Sequence, residues 1–306
     1  RPKVQKSDPV DAAFNQIDTG STFTLGFSGA TVRPKDLEWV GATSAEQWEV
    51  ILRIKTPLGG VYFDGRYDSP ACIIRVVNKN GQESLKTIER CEHVYPHTVV
   101  STCKSLEQYR TLRRDYQRRG LDPSPVPESF QRLNGLHDLW TTERLLGDEF
   151  TTQLSPSDRE IILRYRLQCY GFFAYSTDVW DSYNDQVAGL RARGRILNGG
   201  IQLATNNMIQ GELVFIPLTK NIGYQNVTHI VAHFSGADPD LGRKGFQPEL
   251  VNLVQRVSVH IVKLFLSYKK YLKSETGAPP VIVEESEIDQ WIQEQRNHEK
   301  AHPLII

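Results

Sequence analysis

The sequence predicts an α+β chain: a β-rich N-terminal unit, a helical connector, then a strand-and-helix sheet packed by one long helix. Three observations predict it. Short β-type runs cluster before residue 100, a proline-rich break falls at 122–127, and residues 250–268 keep the i, i+3, i+4, i+7 apolar rhythm of a helix with one buried face. The limits that follow are 1–103 for the β-rich domain, 104–154 for the connector, 155–277 for the α/β domain and 278–306 for a C-terminal helix.

In chain order, residues 22–27, 49–55, 60–63 and 72–77 read as strands, because each is rich in β-branched or aromatic residues between Gly, Pro, Asn or Asp. Asn78-Lys-Asn-Gly81 then reads as a hairpin turn, since Asn-Gly tolerates positive φ. Residues 104–119 read as a helix stopped by Gly120 and by the prolines of 122–127. A helix over 133–150 is expected next. Ser155-Pro156 then forms an N-cap with proline at the first helical position, and the pattern runs helically towards Gly171. Strands return at 196–204, 212–218 and 229–234, followed by a helix over 248–272 that Gly277, Pro279 and Pro280 stop. A polar helix over 284–300 closes the chain.

Composition narrows the class. The 306 residues carry 36 Lys+Arg against 36 Asp+Glu, so a broadly basic coat is excluded, though a local basic face is not. The most apolar run, 257–266, is short and carries His260 and Lys263, so no membrane span is expected. Four cysteines are too few for a disulfide scaffold and no signal peptide opens the chain, which points to a reducing, cytoplasmic setting. The start at Arg1, the single Met208 and the apolar end Pro-Leu-Ile-Ile306 suggest a piece of a longer protein.

Five constellations could carry chemistry. In Asp238-Pro-Asp-Leu-Gly-Arg-Lys-Gly-Phe246, Gly242 and Gly245 flank Arg243 and Lys244 just before a helix. Glycines permit close backbone approach, the helix start favours an anion, and two cations neutralise phosphate; the alternative is an ordinary polar turn. The spacing is not that of a Walker A loop. Gly199-Gly200, within a β pattern, marks a bulge or the close approach of another backbone, with Gln202, Asn206, Asn207 and Gln210 offering uncharged hydrogen bonds. Cys91, His93, His97 and Cys103 are metal-ligand types, but their spacing lacks the paired C-x-x-C or H-x3-5-H pattern. A buried cysteine with surface histidines is the plainer reading, and no metal is assigned. Asp18-Thr-Gly-Ser21 matches half of an aspartic-protease signature, yet no second copy occurs and a turn explains it. Arg110, Arg113, Arg114, Arg118 and Arg119, with Tyr109 and Tyr116 among them, could track nucleic-acid phosphates or form a solvated helix face.

The stretches 171–177, 195–208, Gly211-Glu-Leu-Val-Phe-Ile-Pro-Leu218 and 238–246 resemble the region that follows the nucleotide-binding domain in prokaryotic MORC-like ATPases of the GHKL superfamily. The resemblance covers about 155–275 and implies a transducer with a left-handed β-α-β crossover. In that scheme a basic residue on a strand-to-helix loop meets the γ-phosphate of ATP, bound with Mg2+ mainly by a domain outside this chain. Lys244 is the implied sensor, Arg243 the second choice, and Gly242 and Gly245 the flanking cradle. An upstream nucleotide-binding domain, a homodimer and a role in antiphage or restriction-type defence are implied with it. The chain departs from the superfamily in lacking an ordered Glu-x-x-x-Asn magnesium motif and glycine lid. It is therefore expected to be part of an ATPase at most, and DNA binding by the 104–119 helix is the alternative.

Overall fold

A computed structural model describes residues 41–63, 71–77, 80–122, 128–192, 194–239 and 245–273. The architecture is α+β, with a six-stranded mixed sheet in the order β3-β4-β5-β8-β6-β7 and a separate β1-β2 hairpin. The stretches expected as a strand at 22–27 and as a helix at 284–300 lie outside the described residues, as does Asp18-Thr-Gly-Ser21.

The first element corrects the sequence reading. Residues expected as a strand over 49–55 belong to helix α1 (Ala45–Lys55). Ser44 and Gln47 make a reciprocal capping box, and Glu49 pairs with Arg53 one turn on at 2.9 Å. Segment 60–63 is not a strand either; it contributes one isolated bridge, Gly60 to Glu92. Strands β1 (Cys72–Val77) and β2 (Glu83–Ile88) form the expected antiparallel hairpin, with Gly81 at φ 75° in its connection. Ala45, Ile74, Ile88 and Cys91 bury together where α1 covers the hairpin.

Strand β3 (Cys103–Ser105) leads into α3 (Leu106–Arg118), whose capping box is Ser105 with Gln108. A short helix, α2 (Pro96–Val99), precedes them. The expected helix over 133–150 is instead β4 (Gly135–Trp140), α4 (Thr142–Leu146) and a 3-10 turn over Asp148–Phe150. β3 and β4 are parallel neighbours, so the sheet takes strands from both sides of the proline-rich stretch. The described residues from Ala42 onward fall in one compact unit. Helix α5 (Pro156–Arg164) has the expected Ser155 cap, but it ends before β5 (Gln168–Ala174), where a longer helix was expected.

After β5 come α6 (Asp178–Ser182), a π-helical turn at Tyr183–Val187, β6 (Gly200–Thr205) and β7 (Met208–Val214). Then follow β8 (Thr228–Phe234) and α7 (Pro248–Ser267). The register slips between Ile201 and Leu203. A Cβ on Gly199 would sit 2.4 Å from the Gln225 carbonyl oxygen, which is the close backbone approach that the glycine pair signals.

All seven residues of β8 are buried, between antiparallel β5 and parallel β6. Strand alternation divides the sheet into two faces. Cys169, Gly171 and Phe173 of β5 share one face with Ile230, Ala232 and Phe234 of β8. Helix α7 covers it with Leu250, Leu253, Val254, Val257, Ile261 and Phe265; Phe265 stacks on Phe173 with centroids 5.7 Å apart. By length and composition α7 could also cross a membrane, contrary to the expectation from the sequence, and its buried stripe here faces the sheet. The opposite face carries His137, Tyr170, Phe172, His229 and His233. Trp180 of α6 packs there on Phe172 at 5.7 Å.

Gly171 sits where α7 meets the sheet: a Cβ there would lie 2.9 Å from Trp140, 3.0 Å from Phe265 and 3.2 Å from Ile261. Gly171→Ala is expected to overpack this face and lower unfolding free energy by about 1–3 kcal/mol, read as a shift of the urea midpoint at constant slope. An unchanged midpoint would show that α7 is not seated on β5 as described.

Candidate functional site

The basic loop joins the buried end of β8 to α7. Its tip, with Gly242, Arg243 and Lys244, lies outside the described residues. Its two ends are well held. The Ser235 amide donates to the Tyr165 carbonyl at 2.7 Å, and the Thr205 hydroxyl donates to the Ala237 carbonyl at 2.6 Å. Beyond the tip, Gly245 is half-buried and Phe246 is buried against Phe234, ring centroids 5.9 Å apart. Because β6 and β8 are parallel, the Asn206-Asn207 turn leaves the sheet at the same edge; both asparagines have positive φ, 48° and 63°.

The arginine helix is not one continuous basic face. Arg110 is drawn inward, with Nη1 3.0 Å from buried Asp138 and Nη2 2.6 Å from Glu149. Arg144 meets the same Asp138 at 2.9 Å, so this carboxylate ties α3 and α4 to β4. Arg114 pairs with Glu107 at 2.6 Å, and Arg113 lies over the Tyr109 ring. Arg118 and Arg119 are exposed at the helix end, with Arg118 3.8 Å from Asp115.

Cys91, His93, His97 and Cys103 do not form a metal centre: among the described residues no three His, Cys, Asp or Glu side chains converge as ligands. Burial raises the thiols of Cys91 and Cys103, the latter to about 12, which disfavours the thiolate a metal needs. The expected surface position of the histidines is also corrected, since His93 is only 2% exposed and His97 is half-buried.

What the structure builds from that segment is an aromatic cleft of about 420 Å³. His93 and Tyr95 are spaced by two on extended chain, which sends them to one side, and His97 follows in the first turn of α2. They meet His137 from β4 and Tyr170 from β5, and Phe63 closes one wall. The His97 and His137 rings stack at 4.0 Å and 15°, and Tyr95 lies 4.8 Å from Tyr170. Tyr170 Oη is 2.8 Å from His97 Nδ1 and 3.4 Å from the His97 amide. The hydroxyl accepts from the amide, and with its one proton and second lone pair it either donates to Nδ1 or accepts from it according to the His97 tautomer.

Two groups under the cleft have no partner. Both ring nitrogens of His93 and the Tyr95 hydroxyl are buried without a hydrogen bond. The main chain of Arg53 lies beside the His93 ring, and that of Tyr62 beside the Tyr95 hydroxyl, neither in hydrogen-bond geometry. Each such group costs about 1–3 kcal/mol. The rim charges, by contrast, are matched. Arg53 bonds Glu49 and the Glu92 carbonyl, and Arg90 pairs with Glu92 at 3.1 Å.

Burial keeps His93, His137 and His229 neutral. It lowers His93 to about 3, with His229 adding repulsion, lowers His137 to about 3 and lowers His229 to about 4. His229 Nδ1 lies 2.8 Å from the Asn198 carbonyl and so donates to it.

Two predictions follow from these placements. The unfolded chain takes up histidine protons near 6.5 and the folded one only near 3–4, so stability is full above about pH 6.5 and falls below it. Urea unfolding is expected to lose up to about 2.7 kcal/mol per buried histidine between pH 6.5 and 4.5, more shallowly in His93→Gln. A flat profile over that window contradicts the burial. On duplex DNA, the three arginines not held by a close carboxylate (Arg113, Arg118 and Arg119) limit the log–log salt slope to about −3, where five free cations would give about −4 to −5. Anisotropy titrations decide between the slopes.

The chain matches no family model, no curated protein and no solved structure.

Proposed function

We propose that this chain is the coupling part of a GHKL-type ATPase, completing with Lys244 and Arg243 a nucleotide site held mainly by a neighbouring domain. One observation supports this reading most: the loop that bears these cations springs from β8, the most deeply buried strand, and returns into α7, the helix that covers the same sheet. A cation carried there is mechanically joined to the core. A phosphate that attracts it therefore biases the position of the whole sheet and helix, which is what a two-state coupling element needs. The anchored stumps at Ser235, Ala237 and Phe246 suit a loop whose ends must hold while its tip answers a ligand.

ATP with Mg2+ would supply the triphosphate charge. The residues of this chain would orient and neutralise it, Lys244 as a point charge and Arg243 as a planar fork. Gly242 and Gly245 would let the main chain approach the phosphate. Closure of a homodimer and service in antiphage defence belong to the same reading, by analogy with the resembling ATPases alone.

The test is ATP hydrolysis by the full-length polypeptide around this chain. Lys244→Ala is expected to lower turnover at least about tenfold, or about 1.4 kcal/mol in the barrier, with an unchanged melting temperature. Lys244→Arg should retain more activity than Lys244→Ala. Equal turnover in wild type and Lys244→Ala would remove the loop from the mechanism.

A further inference from the structure

The aromatic cleft has no part in the coupling scheme, and its composition is specific. We propose that it binds a small, uncharged, planar heteroaromatic ring with a hydrogen-bonding edge, of the nucleobase class, stacked on the His97–His137 pair. The inference is independent of the loop and of ATP turnover.

Four observations carry it. The cavity, about 420 Å³, has room for one nucleoside. Its walls are rings: His97 and His137 are parallel within 15°, Tyr95 is tilted 32° from His97 and Phe63 36° from Tyr95, while His93 stands at 76° to Tyr95. A flat ligand extends such a series, and base-on-ring stacking is worth about 1–3 kcal/mol by truncation. The polar groups at hand are neutral and of both kinds. His97 has its Nδ1 engaged by Tyr170 and its Nε2 left for a ligand, and no protein group among the described residues hydrogen-bonds either ring nitrogen of His137, one of which donates while the other accepts. Beneath them lie the unpartnered His93 ring and Tyr95 hydroxyl.

The same features select against other occupants. The nearby charges of Arg53, Glu92 and Asp138 already have partners, so an ionic ligand would find no free counter-charge. Parallel imidazoles 4.0 Å apart keep their in-plane lone pairs side by side, not convergent on one ion at the ~2.0–2.1 Å that metal–imidazole bonds require. A purely apolar ring would leave the imidazole nitrogens idle.

The experiment titrates adenosine, guanosine, cytidine and uridine, each alone, into the whole chain at pH 7.5. Saturation-transfer NMR and calorimetry follow binding, and benzyl alcohol serves as a ring without a base edge. At least one nucleoside is expected to bind with a dissociation constant below about 1 mM. His137→Phe keeps the ring face and removes its nitrogens; it should weaken that nucleoside at least tenfold and leave benzyl alcohol unchanged. Thr98→Trp, at an exposed position on the cleft wall, should block both ligands without changing the melting temperature. The second variant decides the matter even if the first does not fold. Failure of all four nucleosides to bind overturns the proposal. So does equal nucleoside binding in Thr98→Trp, or benzyl alcohol binding as tightly as the best nucleoside.

Discussion

The burial of β8 is the constraint on which the rest of the structure depends. A strand with every side chain buried must find main-chain partners on both edges and packing on both faces, because an orphaned amide or carbonyl there costs about as much as a lost hydrogen bond. β5 supplies one edge and β6 the other. Phe234, Ile230 and Ala232 turn to the face that α7 covers, and His229 and His233 turn to the opposite one. Once that strand is placed, the long helix has only one side of the sheet to occupy. The loop between them then leaves from the edge where β6 also ends.

The second face shows how a core accommodates polar side chains. His229 gives its proton to the Asn198 carbonyl, and the Asn207 amide donates to His233 Nε2 at 3.1 Å. On the α7 face, by contrast, Asp138, in register with Gly171, is matched by the two guanidinium groups of Arg110 and Arg144. A buried carboxylate so surrounded holds together three elements that are far apart in the chain, and removing either cation would leave the other pairing incomplete. That is the physical reason Arg110 faces inward while its helical neighbours remain at the surface. Among the described residues the His93 ring and the Tyr95 hydroxyl have no partner, as is also true of Ser258 Oγ and His229 Nε2, and the first two lie together under the aromatic cleft.

The two candidate sites are therefore different in kind. The basic loop leaves a fully buried strand and carries the Arg243-Lys244 pair in its sequence. The cleft is neutral and ring-lined, suited to a flat molecule that exchanges water for stacking. Phe63, one wall of the cleft, meets His233 of β8 edge-on at 6.2 Å, so both sites lean on the same strand.

How much of this was legible beforehand depended on the range of the signal. The α+β class, the amphipathic stripe of α7, the Ser155 cap of α5, the stop at Gly120 and the late strands are local: each follows from side-chain period or from one residue's backbone preference. The misread elements had two local solutions. Residues 49–55 carry the β-branched Val50, Ile51 and Ile54 that suggest a strand, and the Ser44–Gln47 capping box outweighed them; residues 133–140 have helical spacing, yet Gly135 lies against Phe172 and β5 recruits the segment as β4. The cleft was least visible, because His97, His137 and Tyr170 come from separate stretches and meet only through the pairing of β4 with β5. The sequence by itself determined the class, the strongest helices and the glycine-flanked basic pair. Tertiary structure alone decided which arginine is buried and which rings stack, because strand register and desolvation are properties of contacts between distant residues and not of any short run.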